Sequence, residues 1–467
     1  MMIGTDLHIK SDAGGSGYLV DQNVNGEIDI TGNVTVERYM AADIWHNTAS
    51  PVSNETSSSF TGTDLVFWYD ESLIWNDWNL GWVWYQAGPL AVFRGYDVYF
   101  EDIPVTVNYH ATGIGTNILN TGPYNISVIN TTSTPGETAP HKGWNLIGNP
   151  YPSPVDWLAA SGWDKSDINI YKYIWDGTNN IYTVFGGSPP IGLNGGTRFI
   201  PSNQGFWVQV LPALTSGTVG INNAVRVGDI SGTPDFYKAE PIDYPMVSLV
   251  ASGNSFSDEI VIRFLDGTTD GFDINIDASK LFSFHPDVPQ ISIKYGKQSF
   301  ALNSLPEIRA DLAVDLDFQC GKAGYYKISL TKRSNLDEFT KVYLKDEILQ
   351  KFACLTTDSS YLFYHDPAND KNRFKVYFNP SADILNNITP DSYFSVYFDK
   401  DLITILKNTI QPVSGEIVIY NMLGQPEWRE SLNDDDRSSF RVNLPTGYYV
   451  VSIITGQHVS NSKVLIR

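Results

Sequence analysis

The stretch Gly415-Glu-Ile-Val-Ile-Tyr-Asn-Met-Leu-Gly-Gln425 decides the fold of the C-terminal part of this chain. Within it, Ile417 and Ile419 alternate with residues of the opposite face, which is the pattern of a half-buried strand. The same alternation recurs downstream at Tyr449, Val451 and Ile453. Gly424 marks the turn at which the first strand ends. This periodicity predicts a small β-sandwich over residues 388–467.

Three short motifs follow one another within this predicted sandwich. They are formed by Asn421, Leu423, Gly424 and Gln425, then by Leu444, Gly447, Tyr448 and Val450, and finally by Lys463 and Ile466. In composition and order the motifs resemble the C-terminal sorting domain of proteins exported by the type IX secretion system of the Bacteroidota. The resemblance implies an Ig-like sandwich that is bound by the outer-membrane translocon and its shuttle protein. It also implies an extracellular or cell-surface location, and it allows for cleavage and attachment to a surface glycolipid.

Short alternating runs separated by Gly, Asn, Asp and Pro recur along the rest of the chain, and helical periodicity is nearly absent. We therefore predict an all-β fold of tandem β-sandwich domains, Ig-like or jelly-roll-like. The predicted divisions are residues 1–40, 41–232, 233–387 and 388–467. Strands are predicted at Met246–Val250, Glu259–Phe264, Tyr325–Leu330 and Phe374–Phe378. The first division is either the end of a β-solenoid or the first strands of the next domain, and residues 379–387 are predicted as a linker.

An internal duplication is predicted within residues 41–232. Trp45-His-Asn-Thr-Ala-Ser-Pro51 corresponds to Trp144-Asn-Leu-Ile-Gly-Asn-Pro150, and Arg94-Gly-Tyr-Asp-Val-Tyr-Phe100 corresponds to Gln204-Gly-Phe-Trp-Val-Gln-Val210. Eleven of the twelve tryptophans lie between Trp45 and Trp207. Two related half-units packed face to face would form one aromatic-rich sandwich.

The chain is acidic, with 31 basic and 52 acidic residues and a net charge of −21. This charge argues against nucleic acid and anionic membranes as partners. No apolar run reaches the roughly 18 residues that a transmembrane helix needs. Residues 1–8 also lack the basic and apolar regions of a signal peptide, although type IX cargo requires one. We therefore expect the chain to be the C-terminal part of a longer protein.

Catalytic motifs are missing from the sequence, which has no Gly-x-Ser-x-Gly, His-Glu-x-x-His, Walker or Cys-x-x-Cys pattern. The carboxylates Asp70, Glu71, Glu101 and Asp102 are of the residue type used in glycoside hydrolysis. Among 52 acidic residues, however, adjacent carboxylates are expected by chance. We predict that the chain is not an enzyme. Two cysteines, Cys320 and Cys354, permit either one disulfide or two free thiols.

One segment near the N-terminus has the composition of a Ca²⁺-binding loop. Its candidate ligands are Asp21, Asn23, Asn25 and Asp29, with Gly26 at the turn position. The twelfth position, which should supply a bidentate carboxylate, is Gly32. A strand-connecting turn with Asn-Gly at its tip explains the same residues and is the favoured interpretation, with Ca²⁺ as the alternative.

A second candidate binding segment is rich in tryptophan. Trp75 and Trp78 lie in a turn-like stretch among amides and carboxylates, and flat aromatic faces beside such groups are suited to stacking on sugar rings. Trp82 and Trp84 share a strand face, so we expect them in the core. The sequence thus predicts a cell-surface structural or adhesion protein. The alternatives are a carbohydrate-binding region of a larger secreted enzyme and a subunit of an extracellular filament formed by self-association.

Overall fold

Short strands dominate the chain in a computed structural model, and this confirms the all-β prediction. The structure describes all residues except 1, 4–5, 24–28, 31, 64, 75–77, 112–114, 117–118, 132–141, 229–242, 369, 387–393, 400–401, 408–413, 436, 457–458 and 467. Alternating apolar residues form these strands because one face of each packs against a core while the other meets solvent or a neighbouring layer. The described residues group into two compact units, which are treated separately below.

The first half of the chain contains twenty-two strands among its described residues. They are Met2–Ile3 (β1), Leu7–Ile9 (β2), Ser11–Asp12 (β3), Gly15–Ser16 (β4), Asp29–Ile30 (β5), Val34–Met40 (β6), Trp45–Thr48 (β7), Val66–Tyr69 (β8), Trp82–Trp84 (β9), Tyr96–Tyr99 (β10), Val105–Ala111 (β11), Gly115–Thr116 (β12), Tyr124–Ile129 (β13), Trp144–Gly148 (β14), Val155–Asp156 (β15), Trp163–Ser166 (β16), Lys172–Asp176 (β17), Ile181–Gly186 (β18), Ile191–Leu193 (β19), Phe199–Ile200 (β20), Gly205–Gln209 (β21) and Ser216–Ile221 (β22). Single 3₁₀ turns occur at Ser57–Ser59, Glu71–Leu73, Trp78–Gly81 and Asn223–Val225.

Among its described residues, the second half adds longer strands and two short α-helices. These elements are Met246–Gly253 (β23), Phe256–Phe264 (β24), Ala278–Ser279 (β25), Gln290–Tyr295 (β26), Gln298–Leu305 (β27), Leu312–Gln319 (β28), Gly324–Ser334 (β29), Val342–Asp346 (β30), Lys351–Cys354 (β31), Leu355–Asp358 (α1), Ser360–His365 (β32), Phe374–Phe378 (β33), Ala382–Asn386 (α2), Phe394–Asp399 (β34), Leu402–Lys407 (β35), Gly415–Asn421 (β36), Pro426–Leu432 (β37), Arg437–Arg441 (β38), Gly447–Thr455 (β39) and Val459–Ile466 (β40). The segment predicted as a linker therefore contains α2, one turn of helix in which the N–H of Leu385 bonds to the carbonyl of Ser381.

The first unit comprises residues 1–245, 258–288 and 292–306. At its N-terminus β1 pairs in parallel with β5, and β2 pairs in parallel with β6, with the same sequence separation in both pairs. This is the pairing of one turn of a parallel β-coil. Strand β6 also pairs antiparallel with β11, so residues 34–40 are joined to the segment that follows. The choice between the two alternatives predicted for residues 1–40 stays a prediction.

Corresponding residues of the two predicted repeats pair in the same register. In the first repeat β7 is antiparallel to β10, with Trp45 opposite Tyr99. In the second, β14 is antiparallel to β21, with Trp144 opposite Gln209. Tyr99 and Gln209 occupy equivalent places in the aligned segments. This matching register is what a structural duplication requires.

The two repeats approach each other closely within the first unit. An isolated bridge joins Thr48 to Gln204, and the backbone N–H of Gly148 donates to the Phe93 carbonyl at 3.1 Å. A Cβ atom at position 148 would lie 2.2 Å from the Cβ of Ala49. Glycine is therefore required at this position because the backbones meet without room for a side chain.

The second unit comprises residues 246–257, 289–291 and 307–467. In its upstream part β31, β30, β33 and β28 form one antiparallel ladder, and β23, β29 and β32 form another. Residues 394–466 form two facing sheets of order β34-β35-β38 and β37-β36-β39-β40. Side chains of both sheets share one apolar core, which includes Ile405 from the first sheet and Ile419 and Val451 from the second. This seven-stranded arrangement has the architecture predicted for the C-terminal segment.

Candidate functional site

Asn421 ends strand β36 and organises the turn into β37. Its side-chain Oδ1 accepts hydrogen bonds from the backbone N–H groups of Leu423 at 3.0 Å and Gln425 at 3.1 Å. The N–H of Gly424 donates to the Asn421 carbonyl at 2.9 Å, and Gly424 has a φ of 78°, in the left-handed region that favours glycine. The first motif is therefore a hairpin tip in which Asn421, Gly424 and Gln425 set the turn and Leu423 is projected outward.

Strand register brings the other two motifs to the same end of the sheet. Asn421 lies opposite Tyr449 on β39, next to the motif residues Tyr448 and Val450. On the other side of β39, Val450 lies opposite Lys463, and Gly447 lies opposite Ile466. All three motifs therefore meet at one end of the sheet β37-β36-β39-β40.

The motif residues divide into buried and exposed groups. Ile466 is buried in the sandwich core, and Leu444 packs against that core. Leu423 is 85% exposed and Tyr448 is 54% exposed, although both are large apolar side chains. The Lys463 ammonium lies 4.4 Å from the centroid of the Tyr448 ring, a cation–π contact.

We define the motif end as Met422, Leu423, Tyr448 and Lys463. Met422, between Asn421 and Leu423 in the hairpin, is 61% exposed. Three exposed apolar side chains at this end of the sheet, with one cation next to Tyr448, form a surface suited to binding another protein, because their burial in a complex would remove apolar area from water. The motif end is the candidate functional site that the sequence motifs indicated.

The candidate Ca²⁺ ligands are only partly described by the structure. The Asp21 carboxylate accepts hydrogen bonds from the backbone N–H of Asn23 (3.0 Å), the Thr121 hydroxyl (2.6 Å) and the Asn223 amide (3.1 Å). Its oxygens thus take part in an internal network that joins residue 21 to distant loops. Asn25 and the side chain of Asp29 lie outside the described residues. Over the described part of the chain, no group of three or more His, Cys, Asp or Glu side chains is arranged to hold a metal ion. Ca²⁺ binding stays a prediction.

The tryptophan segment differs from expectation at one position. Trp75 and the side chain of Trp78 lie outside the described residues, so their stacking role stays a prediction. Trp82 is half-buried, with its ring centroid 5.6 Å from that of Trp207. Trp84, which was also expected in the core, is 53% exposed. That expectation is wrong because β9 is the edge strand of its sheet and Trp84 is its last residue.

Two of the candidate acidic residues have structural roles. The Asp70 carboxylate accepts a hydrogen bond from the N–H of Ser72 at the start of a 3₁₀ turn. Glu71 is buried and accepts hydrogen bonds from the N–H groups of Thr131 and Gly143, both at 2.9 Å. Burial raises the pKa of Glu71, and these hydrogen bonds oppose that rise. Glu71 therefore ties two distant segments of backbone together.

A buried carboxyl that sequence reasoning missed lies in the first unit, next to Asn47. Asp97 is 5% exposed, and its Oδ1 accepts a hydrogen bond from the Asn47 amide at 2.8 Å. The side-chain amide oxygen of Asn47 (Oδ1) in turn accepts a hydrogen bond from the Trp207 indole N–H at 3.1 Å. Burial raises the pKa of Asp97 to about 8, and the hydrogen bond from Asn47 offsets only part of this effect.

Both cysteines are free thiols, so of the two alternatives from the sequence the structure has the second. Cys320 is buried and Cys354 is half-buried. Each sulfur lies within hydrogen-bond distance of a hydroxyl, Cys320 of Tyr326 at 3.1 Å and Cys354 of Thr356 at 3.2 Å. Within the described residues, no helix has the length and apolar character needed to cross a membrane.

Comparison with known proteins places the upstream region in a family. A family model described as a domain of unknown function, DUF8693, matches residues 5–378. No curated protein matches the chain. A solved structure of a biofilm-associated protein, its BSP domain, aligns with 9% identity and a TM-score of 0.17, covering 96% of this chain and 65% of that one. The family match ends at Phe378, before the sandwich that begins at Phe394. Since the match spans more than half of the residues, the chain belongs to the DUF8693 family of domains of unknown function.

Proposed function

We propose that this protein is a secreted, cell-surface structural or adhesion protein whose C-terminal sandwich directs its export by the type IX secretion system. The observation that carries the proposal is the meeting of three separate sequence motifs at one exposed end of a single sheet. Turn geometry and core packing explain Asn421, Gly424 and Ile466. They do not explain why Leu423 and Tyr448 are apolar, since both side chains are largely exposed.

In this proposal the motif end is the surface that the outer-membrane translocon and its shuttle protein contact. Burial of an exposed leucine or tyrosine side chain in a complex contributes about 1.5–3 kcal/mol, which is enough for recognition by a few residues. The DUF8693 match stops before the sandwich, which supports a division of roles between an upstream surface region and a downstream export signal. Attachment to a surface glycolipid after export is part of the same proposal.

The upstream region would then act outside the cell. Its net acidity and its all-β construction suit a protein exposed to solvent. Adhesion or mechanical support is the role proposed for this region. Carbohydrate binding through Trp75 and Trp78, and self-association into filaments, stay predictions.

Export from a host with this secretion system tests the proposal. The full chain is given a signal peptide, and the fraction outside the cell is measured for the natural sequence, for Leu423→Ser and for Tyr448→Ser. The matched control is Val459→Ser, because Val459 is 55% exposed in the same sheet and lies at its opposite end. We expect the first two variants to accumulate in the periplasm while the control is exported.

The wild-type chain must also fail to leave a strain that lacks the translocon. If Leu423→Ser, Tyr448→Ser and Val459→Ser are exported equally well, the motif end is not the surface that the translocon recognises. Export that continues without the translocon would refute the type IX assignment as a whole.

A further inference from the structure

A cavity of about 300 Å³ lies within the second unit, beside strand β34. Its lining includes Lys351, Ser395, Tyr397 and Lys463 together with the apolar residues Leu349 and Val396. The volume is at the lower end of the range for small-molecule sites. Apart from Lys463, the residues that line this cavity lie outside the sequence motifs, and they come from three distant parts of the chain.

The alternation of β34 explains why a serine faces the cavity. Phe394 belongs to the sandwich core, and Val396 and Phe398 pack against it. Because successive side chains of a strand point to opposite faces, Ser395 and Tyr397 lie on the other face, away from that core. Ser395 and Tyr397 line the cavity from this face, and Phe394 and Val396 also contribute to its lining.

Lys351, the first residue of β31, reaches Ser395. The Lys351 Nζ lies 2.7 Å from the Ser395 Oγ, and the two residues are only 5% and 6% exposed. Burial lowers the pKa of Lys351 to about 7; the nearby Asp346 carboxylate opposes this effect and the Arg373 guanidinium adds to it. A substantial fraction of the amine is therefore neutral near pH 7, with a lone pair that can accept the serine proton.

We propose that Ser395 and Lys351 form a Ser–Lys dyad that catalyses acyl transfer from a small ester bound in this cavity. The Ser395 Oγ attacks the carbonyl carbon of the ester while its proton passes to the neutral Lys351 Nζ. The bond from the carbonyl carbon to the alkoxy oxygen breaks, and the departing alkoxide takes the proton from Lys351. Water then attacks the acyl-serine and gives a proton to Lys351; collapse returns that proton to Ser395 and releases the carboxylic acid.

Tyr397 is the residue placed to support this chemistry. It follows Ser395 by two positions on the same face of β34, and its hydroxyl oxygen is buried. A buried hydroxyl donor near the reacting carbonyl stabilises the negative charge that develops on the carbonyl oxygen. The inference goes beyond the proposed export function and does not depend on it, and it departs from the prediction that the chain is not an enzyme.

The test is acylation of the full chain by p-nitrophenyl acetate, with the modified residue identified by peptide mass spectrometry and the rate followed over pH. We expect an acetyl adduct on Ser395 and a rate that rises with pH through a midpoint near 7, the pKa of Lys351. Ser395→Ala should remove the adduct. Lys351→Met, which keeps the apolar stem but not the base, should slow acylation about 100-fold or more.

The matched control is Ser438→Ala, since Ser438 is a buried serine on β38 of the same sandwich that does not line the cavity. Ser395 of this variant should be acetylated at the same rate as in the natural protein. Each variant is checked for folding by near-ultraviolet circular dichroism, and if Lys351→Met does not fold, the pH profile of the natural protein and Ser395→Ala carry the test. No adduct on Ser395, an acetyl group on Lys351 instead, or a rate that does not titrate near pH 7 would each overturn the proposal.

Discussion

The buried Asp97 provides the sharpest test of the energetics of the first unit. Its pKa is about 8 in the folded protein, whereas the ordinary value is 3.8. Between these two pH values the folded protein retains a proton that the unfolded chain releases. The contribution of Asp97 to stability is therefore fully present below pH 3.8 and is lost as the pH rises towards 8.

The size of the effect follows from the difference between the two pKa values. Each unit of difference corresponds to about 1.4 kcal/mol, so a difference of about 4 units amounts to about 5 kcal/mol once the pH reaches 8. Asp97→Asn replaces the carboxyl by a neutral group of the same shape, whose oxygen can still accept the hydrogen bond from Asn47. We expect this variant to be more stable than the natural protein at pH 8. The advantage should grow by about 1.4 kcal/mol per pH unit between pH 5 and pH 8.

Urea unfolding at several pH values, followed by tryptophan fluorescence, measures this difference. Eleven of the twelve tryptophans lie between Trp45 and Trp207, so the signal reports mainly on the unit that contains Asp97. Asp243→Asn is the control, because Asp243 is an exposed carboxylate of the same unit and its replacement should leave the pH dependence unchanged. A free-energy difference between Asp97→Asn and the natural protein that does not vary with pH would refute the reasoning.

Two further substitutions test packing and charge burial. Gly148→Ala should lower the free energy of unfolding of the first unit by about 1–3 kcal/mol, because the added Cβ would lie 2.2 Å from that of Ala49. The control is Gly228→Ala, where an added Cβ meets nothing within 4 Å and stability in urea should change little. Equal losses of stability in the two variants would contradict the close approach at Gly148. In the second unit, Asp346→Asn removes the partner of Arg373, whose Nη2 lies 2.7 Å from the Asp346 carboxylate with both side chains buried. The unpaired guanidinium should lower the free energy of unfolding by about 3–5 kcal/mol. Urea unfolding followed by far-ultraviolet circular dichroism measures this loss. A loss below about 1 kcal/mol would contradict the prediction and show that other groups compensate the Arg373 charge.

Local periodicity was enough to predict the fold class and many individual strands. The strands predicted at Met246–Val250, Glu259–Phe264, Tyr325–Leu330 and Phe374–Phe378 all lie inside observed strands. Ile417 and Ile419, assigned to one face by their spacing, are both fully buried. These predictions succeed because a period of two residues depends only on the sequence within one strand.

The candidate sites show what such patterns leave out. Alternation assigned Trp82 and Trp84 to one face, but it could not show that β9 is an edge strand on which the second ring is exposed. Likewise, Lys351 and Ser395 meet only through tertiary packing, and neither residue lies in a recognisable motif. The sequence pattern predicts Asp97 to be an ordinary solvent-facing residue of an alternating strand, but in the structure it is buried. Periodicity identifies a face, whereas burial depends on what packs against that face.

Under the proposed export function, the arrangement of the motif end has a consequence for quality control. The register of β36, β39 and β40 places Leu423, Tyr448 and Lys463 at the same end of the sheet. A slip of one residue in any of these strands would turn the side chains to the opposite face and separate the three. A receptor that contacts them together would therefore bind the folded sandwich and pass over a misfolded one, so that recognition of the cargo would at the same time inspect its folding.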